Sequence, residues 1–309
     1  MMKVLVTEFM DDTALKGFEG VAAVTYEPGL DADRARLLAL VKDASAIIVR
    51  NKTQVDQELL AQAPELKVVG RLGVGLDNID LNACKARDIA VCPATGANAI
   101  SVAEYVICAA MTLVRGAYSA TGGVIAGDWP RNQLAGGGEV YGRRLGLFGF
   151  GGIAQTILPR AQALGMDVAA YDPFLPEDHP AWAEVTACSA EGLIATSDVL
   201  TLHVPLTPDT KNLMDKAAID GMKKGAVLIN TSRGGVVDES AVAEALKSGQ
   251  LGGAALDVFQ SEPLPATEGS VFAGVPNLIL TPHISGVTGE GNIRVSDVTV
   301  RNVLKVLGG

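Results

Sequence analysis

The chain has 309 residues, 48% of them apolar and 19% charged, with a formal net charge of −10 at pH 7. Length and composition suit a globular protein of one large or two medium domains, and an acidic balance without a Lys/Arg block argues against bulk nucleic-acid binding. No apolar run reaches the roughly 18 residues of a membrane span, the first residues read as a strand and not a secretory signal, and four scattered cysteines lack metal or disulfide spacing, so the expectation is a cytoplasmic protein without a metal site or membrane partner.

In chain order, "KVLVTE", "VAAVTY", "SAIIV", "KVVGR" and "DIAVCP" read as strands, with "DADRARLLALVKD" and "LNACKARD" as helices between them. That alternation is a βαβ pattern and implies a parallel sheet. The stretch from Asn98 to Gly127 is Ala-rich and apolar at helical spacing, which predicts a long helix followed by a shorter one. A second series then begins, with strands "RLGLFG", "DVAAYD", "DVLTLHV", "AVLIN", "GGAALDV" and "NLILTP". The amphipathic tail "GEGNIRVSDVTVRNVLKVL" predicts a final helix. The expected fold is α/β with two Rossmann-like, parallel-sheet domains. Residues 99–286 are expected as one domain inserted into a flavodoxin-like domain of residues 1–98 and 287–309.

The strongest local signal is Gly149, Gly151 and Ala154, a GxGxxA that follows a strand and opens a helix. The first glycine permits the tight turn, the second lets backbone approach a pyrophosphate, and the alanine keeps helix and strand close. The helix N-terminus offers unpaired N–H groups to the diphosphate. Asp172 ends the next strand, 21 residues after Gly151. A carboxylate there accepts from ribose hydroxyls and repels a 2′-phosphate, which favours NAD over NADP.

Three later strands end in candidate chemistry: Arg233 after "AVLIN", Asp257 and Glu262 after "GGAAL", and His283 after "NLILTP". Ligands in open α/β sheets bind outside the carboxyl ends of the strands. An imidazole there can exchange a proton near neutral pH, a carboxylate can orient it, and an arginine can hold a substrate carboxylate with its planar fork.

Taken together, "RLGVGLDNID", "GANAISVAE", "GFGGIA", "HVPLTPDTKNL", "NTSRGGVVDE", "LDVFQSEP" and "LTPHISG" resemble, in order and over nearly the whole chain, the D-2-hydroxyacid dehydrogenases. That NAD-dependent family includes the phosphoglycerate, glycerate and D-lactate dehydrogenases. The resemblance implies Arg233 as the substrate-binding arginine, Glu262 as the partner of the histidine, and His283 as the acid/base. It places the cofactor against Gly149, Gly151, Gly152, Ile153, Asp172, His203, Pro205, Thr231, Asp257 and Gly286, with Asp257 beside the nicotinamide carboxamide. It gives the substrate carboxylate the amides of Val74 and Gly75 in the Gly73–Gly75 turn, a backbone nest. Arg50 and Asn51 are further substrate contacts, although the family often has Arg-Ser there.

Arg50, Lys52 and the Arg131 of "GDWPRNQ" would suit a substrate with a second anion. That points to 3-phosphoglycerate or 3-sulfolactate, and "EFMDD", "RNKTQ" and "DWPRN" resemble the sulfolactate dehydrogenase subgroup. The alternatives are a glyoxylate/hydroxypyruvate reductase and an NADH-sensing, corepressor-like scaffold. Formate dehydrogenases carry glutamine where Glu262 stands. The chain ends after its last helix, so serine control through a regulatory domain is not expected. By resemblance the helices after Asn98 build a homodimer, and two α/β domains predict closure on the cofactor.

Overall fold

The computed structural model describes residues 2–308. The chain divides into two compact units, Met1–Asn98 with Val287–Gly309, and Ala99–Gly286. The first contains a five-stranded parallel sheet of β1 (Met2–Val6), β2 (Ala22–Tyr26), β3 (Ala46–Val49), β4 (Val68–Arg71) and β5 (Ala90–Pro93). Its order, β2-β1-β3-β4-β5, is the flavodoxin-like one.

Side-chain alternation sorts each strand onto two cores. Leu5, Ile47, Val49 and Val69 face one side with Leu37, Leu59 and Leu60. Val4, Val6, Ile48 and Val68 face the other with Phe18, Val300 and Val303. Both faces are covered, as a parallel sheet requires.

The final helix, Gly289–Leu307, supplies the second cover, so the chain returns to its first unit. Thr288 caps its start by accepting from Gly291 N–H, and Gly308 closes its end at a φ of 85°. The helix approaches β4 at Gly70, where a Cβ would lie 2.6 Å from Val303 Cγ2. The segment 31–43, expected as one helix, is three pieces: a 3₁₀ turn at Leu30–Ala32, a helix at Arg34–Leu40 and a second 3₁₀ turn at Val41–Asp43. Asp33 breaks it, because its side chain accepts from Arg36 N–H and so begins a new helix.

The second unit holds seven parallel strands: β6 (Arg144–Phe148), β7 (Asp167–Tyr171), β8 (Thr186–Ala187), β9 (Val199–Leu202), β10 (Ala226–Asn230), β11 (Leu251–Leu256) and β12 (Leu278–Leu280). Their order is β12-β11-β10-β9-β6-β7-β8. The two-residue β8 is too short to leave a periodic signal and escapes sequence reading. From β6 the chain runs outward to β8, then crosses back to β9 on the other side of β6. That reversal is a topological switch point, the place where open sheets leave a crevice for a ligand.

The expected long and short helices are Ala99–Arg115 and Thr121–Ile125. The long one buries Val102, Val106, Ala110 and Leu113 against the helix Gly152–Ala163 and β10 and β11. Among the described residues no single helix is long and apolar enough to cross a membrane.

Candidate active site

At the switch point, β6 runs into the glycine turn. Gly149 has a φ of 88°, and a Cβ there would lie 2.5 Å from the His203 carbonyl oxygen, so both its conformation and its neighbour exclude a side chain. Gly151 is the N-cap of the helix Gly152–Ala163 and has no side chain to bond the first-turn amides. A Cβ at Gly151 or Gly152 would meet no protein atom, so the space above the turn is open. The Asp172 carboxylate fixes the turn from below: one oxygen accepts from Phe150 N–H at 2.8 Å, the other from Phe174 and Leu175 N–H.

His203 follows β9 at the same crevice. Burial pushes its imidazole down to about 3, which keeps the ring neutral at physiological pH. Its Nε2 lies 3.1 Å from Thr201 Oγ1. Pro205 is exposed, and Ile153 and Gly286 are half-buried. The buried Thr231 hydroxyl has no hydrogen-bond partner. A buried polar atom without a partner is costly, and a ligand polar group would satisfy it. An open glycine turn, uncapped helix amides, an acid at the end of β7 and an orphaned hydroxyl fit a dinucleotide.

The candidate catalytic residues lie on three loops of the same unit. His283 Nδ1 and Glu262 Oε2 are 2.7 Å apart, while Glu262 Oε1 accepts from Phe259 N–H at 2.9 Å. Glu262 therefore bridges the imidazole and its own loop through Nδ1 of the ring. His283 has a φ of 54°, a left-handed conformation that costs a non-glycine residue energy. Asp257 holds it there. One Asp257 oxygen accepts from Thr281 O–H at 2.6 Å and Ile284 N–H at 2.8 Å, the other from Ser285 N–H at 2.8 Å, and its carbonyl takes His283 N–H at 2.7 Å.

Asp257 itself has no exposed surface, and its carboxylate organises the histidine loop. Arg233 sits on the turn after β10. Asn230 shapes that turn by accepting from Ser232 N–H and O–H and donating to the Arg233 carbonyl. Gly234 then passes so close to the next loop that a Cβ would lie 1.7 Å from the Phe259 carbonyl oxygen. This approach sets the Arg233 turn against the loop that carries Glu262.

Sequence reasoning missed Glu239, whose Oε1 accepts from Gln260 N–H at 2.6 Å and pins the same loop. Burial, reinforced by the charges of Glu268, Asp238 and Glu262, pushes its carboxyl up.

In the first unit, Val74 is exposed and Gly75 half-buried on the turn after β4. Gly73 has a φ of 141° and leaves room for the Arg71 guanidinium. Arg50, Asn51 and Lys52 line a cavity of about 360 Å³ with Phe9, Asp31 and Asn292. Arg50 Nη2 donates to Asn292 Oδ1 at 2.8 Å, and its guanidinium lies 5.9 Å from the Phe9 ring centroid. Lys52 Nζ is 4.0 Å from an Asp31 carboxylate oxygen. Arg131 belongs to the other unit, exposed at the start of the short helix Arg131–Leu134.

A dinucleotide turn at a switch point, with arginine, glutamate and histidine at neighbouring strand ends, defines an NAD-dependent oxidoreductase. Residues 107–285 match the family model of the D-isomer specific 2-hydroxyacid dehydrogenase, NAD binding domain. The chain is 53% identical over 309 residues to an (S)-sulfolactate dehydrogenase of Chromohalobacter salexigens, covering all of this chain and 99% of that protein. It is 38% identical over 310 residues to a D-3-phosphoglycerate dehydrogenase of Methanocaldococcus jannaschii, of whose length it spans 58%. The crystal structure of the TT0316 protein from Thermus thermophilus superposes with a TM-score of 0.89 at 35% identity, covering 100% of this chain and 97% of that one.

The chain belongs to the D-isomer specific 2-hydroxyacid dehydrogenase family. Its cofactor is NAD, and its activity is the NAD-dependent interconversion of a 2-hydroxy acid and its 2-keto acid.

Proposed function

We propose that the substrate is a D-type 2-hydroxy acid with a second anionic group, 3-sulfolactate first and 3-phosphoglycerate second. The observation that carries this is the Arg50–Lys52 loop on a cavity of about 360 Å³ in a chain of net charge −10. A dianion needs such local cations against an overall repulsive field. The sulfolactate relative, similar over its whole length, supports the choice of a sulfonate. Sulfur raises the priority of that side chain, so D-type geometry takes the label S.

In this reading Arg233 holds the substrate carboxylate by its planar fork; Val74 and Gly75 are the first unit's candidate substrate contacts. His283 Nε2 takes the hydroxyl proton on oxidation and returns it to the keto oxygen on reduction. Glu262, 2.7 Å from Nδ1, fixes the ring and stabilises its positive charge. NAD, when bound, supplies the hydride acceptor or donor. Gly149, Gly151, Gly152, Ile153 and Asp172 would hold it, with His203, Pro205, Thr231 and Gly286 along the crevice. Asp257 would stand beside the nicotinamide carboxamide while its carboxylate holds the His283 loop. The exposed Tyr118, Ile125 and Trp129 of the second unit support a homodimer, and scattered free cysteines support a cytoplasmic setting.

One observation favours a second reading. Asp31 beside Lys52 already offsets part of the positive charge, which would suit the smaller side chains of glyoxylate or hydroxypyruvate. NADH oxidation against sulfopyruvate, 3-phosphohydroxypyruvate, hydroxypyruvate, glyoxylate and pyruvate separates the two. Highest kcat/KM on a dianion supports the first reading, and highest kcat/KM on glyoxylate or hydroxypyruvate replaces it with the second. Tight NADH binding without turnover would favour a nucleotide-sensing scaffold.

A further inference from the structure

The floor of the first unit's cavity is a carboxylate. Glu8 stands just past the end of β1 and is 5% exposed. Its Oε1 accepts from Arg50 N–H at 2.8 Å and Thr53 N–H at 3.0 Å, and its Oε2 from Asn51 N–H at 3.3 Å and Lys52 N–H at 3.1 Å. Four consecutive backbone amides thus close on one side chain. Such a run of N–H groups forms a concavity that binds anions, and here the anion is built in. The turn is held from its other side by Asn78, whose Nδ2 donates to the Thr53 carbonyl at 2.7 Å.

The amides of residues 50–53 are therefore committed internally, and what the turn presents to the cavity is its side chains. Arg50 is the most constrained, between Asn292 and the Phe9 ring. Burial disfavours its charge, and the negative charge of Glu8 opposes that effect.

We propose that Glu8 is a positioning residue for substrate recognition: its carboxylate templates the Arg50–Thr53 turn so that the Arg50 guanidinium is pre-set to receive an anionic group of the substrate. This rests on Arg50 being a substrate contact, as proposed above. Hydrogen bonds to a charged acceptor are among the strong ones, and a glutamine in its place would turn an NH2 group against two of the four amides. No alternative side chain of the same length offers four acceptor sites.

The test is a double-mutant cycle on substrate KM with NADH saturating, using Glu8→Gln, Arg50→Ala and the double variant, with Glu8→Asp as the conservative control. Sulfopyruvate and glyoxylate are the probes. The expected result for Glu8→Gln is a rise of about tenfold in sulfopyruvate KM, with kcat and NADH KM within about twofold. Glu8→Asp should recover most of the loss, and Glu8→Gln should add nothing in the Arg50→Ala background. Multiplying effects of the two variants would overturn the proposal, because Glu8 would not then act through Arg50. So would a parallel loss of kcat, NADH affinity and Tm, the mark of a merely structural acid.

If wild type shows no preference for sulfopyruvate, the second-anion reading falls by itself. The cycle is then read on glyoxylate, where coupling supports the role of Glu8 and additivity ends it. If Glu8→Gln does not fold, the same cycle is read with Glu8→Asp: a KM rise that vanishes beside Arg50→Ala supports the proposal, and one that persists overturns it.

Discussion

His283 combines a strained backbone with an oriented ring, and both have identifiable causes in single residues. Asp257 over-determines the backbone through four hydrogen bonds, and Glu262 fixes the ring. Asparagine tolerates the left-handed region better than most residues, so His283→Asn should keep the loop while removing the proton carrier. Its kcat should fall by about 10²–10⁴, with NADH affinity, read by quenching of protein fluorescence, within about twofold. Unchanged kcat would remove His283 from the chemistry. His203 makes a different prediction. Its unfolded value is near 6.5 and burial lowers the folded one to about 3, so in that interval only the unfolded chain binds the proton. Stability from this group is complete above pH 6.5 and is lost as pH falls toward 3. His203→Gln removes that linkage, so its urea midpoint without cofactor should fall less than wild type's between pH 7 and pH 5; equal losses would refute the burial argument. Arg233 and His283 were legible as candidates because each is a chemistry-bearing side chain just past a strand, whereas Glu262 lies six residues beyond β11 and its pairing with His283 was implied only by the family motifs. Glu8 stands in the same kind of place, yet its partners are backbone amides 42 to 45 residues away, and amides leave no mark in a sequence.

At the scale of elements, every strand but the two-residue β8 was legible and the decorations were not. Near-continuous apolar runs such as "AVLIN" and "RLGLF" read as buried parallel strands and are β10 and β6. The broken helix at 31–43 was not legible, since apolar periodicity continues across Asp33 while the cap interrupts the backbone. Nor was the packing of one loop on another. Gly234 reads in sequence as one of a glycine pair, but its missing Cβ is what lets the Arg233 turn rest on the carbonyl of Phe259. Backbone cannot yield as a flexible side chain does. Gly234→Ala should therefore destabilise the protein by about 1–3 kcal/mol and lower kcat/KM by moving Arg233 relative to Glu262. Thermal melts and keto acid kinetics on the same variant check both halves. A variant with wild-type Tm and kcat/KM would mean that the two loops separate freely.

For the whole molecule, the acidic charge and the apolar surface point to different partners. A net charge of −10 keeps copies apart and leaves recognition of an anionic substrate to local cations. Against that repulsion stands an apolar stretch after the helix Ala99–Arg115, where Ile125 is 82% exposed and Trp129 77%, with Tyr118 and Val124 also open. Large aromatic and aliphatic side chains in one exposed segment mark an interaction surface more often than chance exposure, and aromatic anchors dominate interface energetics. A two-fold dimer would place the same segment of both copies in one interface, so each substitution acts twice. Ile125→Glu combined with Trp129→Glu adds four negative charges per dimer at the patch, on top of the existing excess. Light scattering at micromolar concentration should give twice the chain mass for wild type and the single-chain mass for the variant. Raising the salt should not restore the dimer, because what has been lost is apolar area and not only charge balance. A wild-type monomer, or a variant that stays dimeric, would detach this surface from self-association.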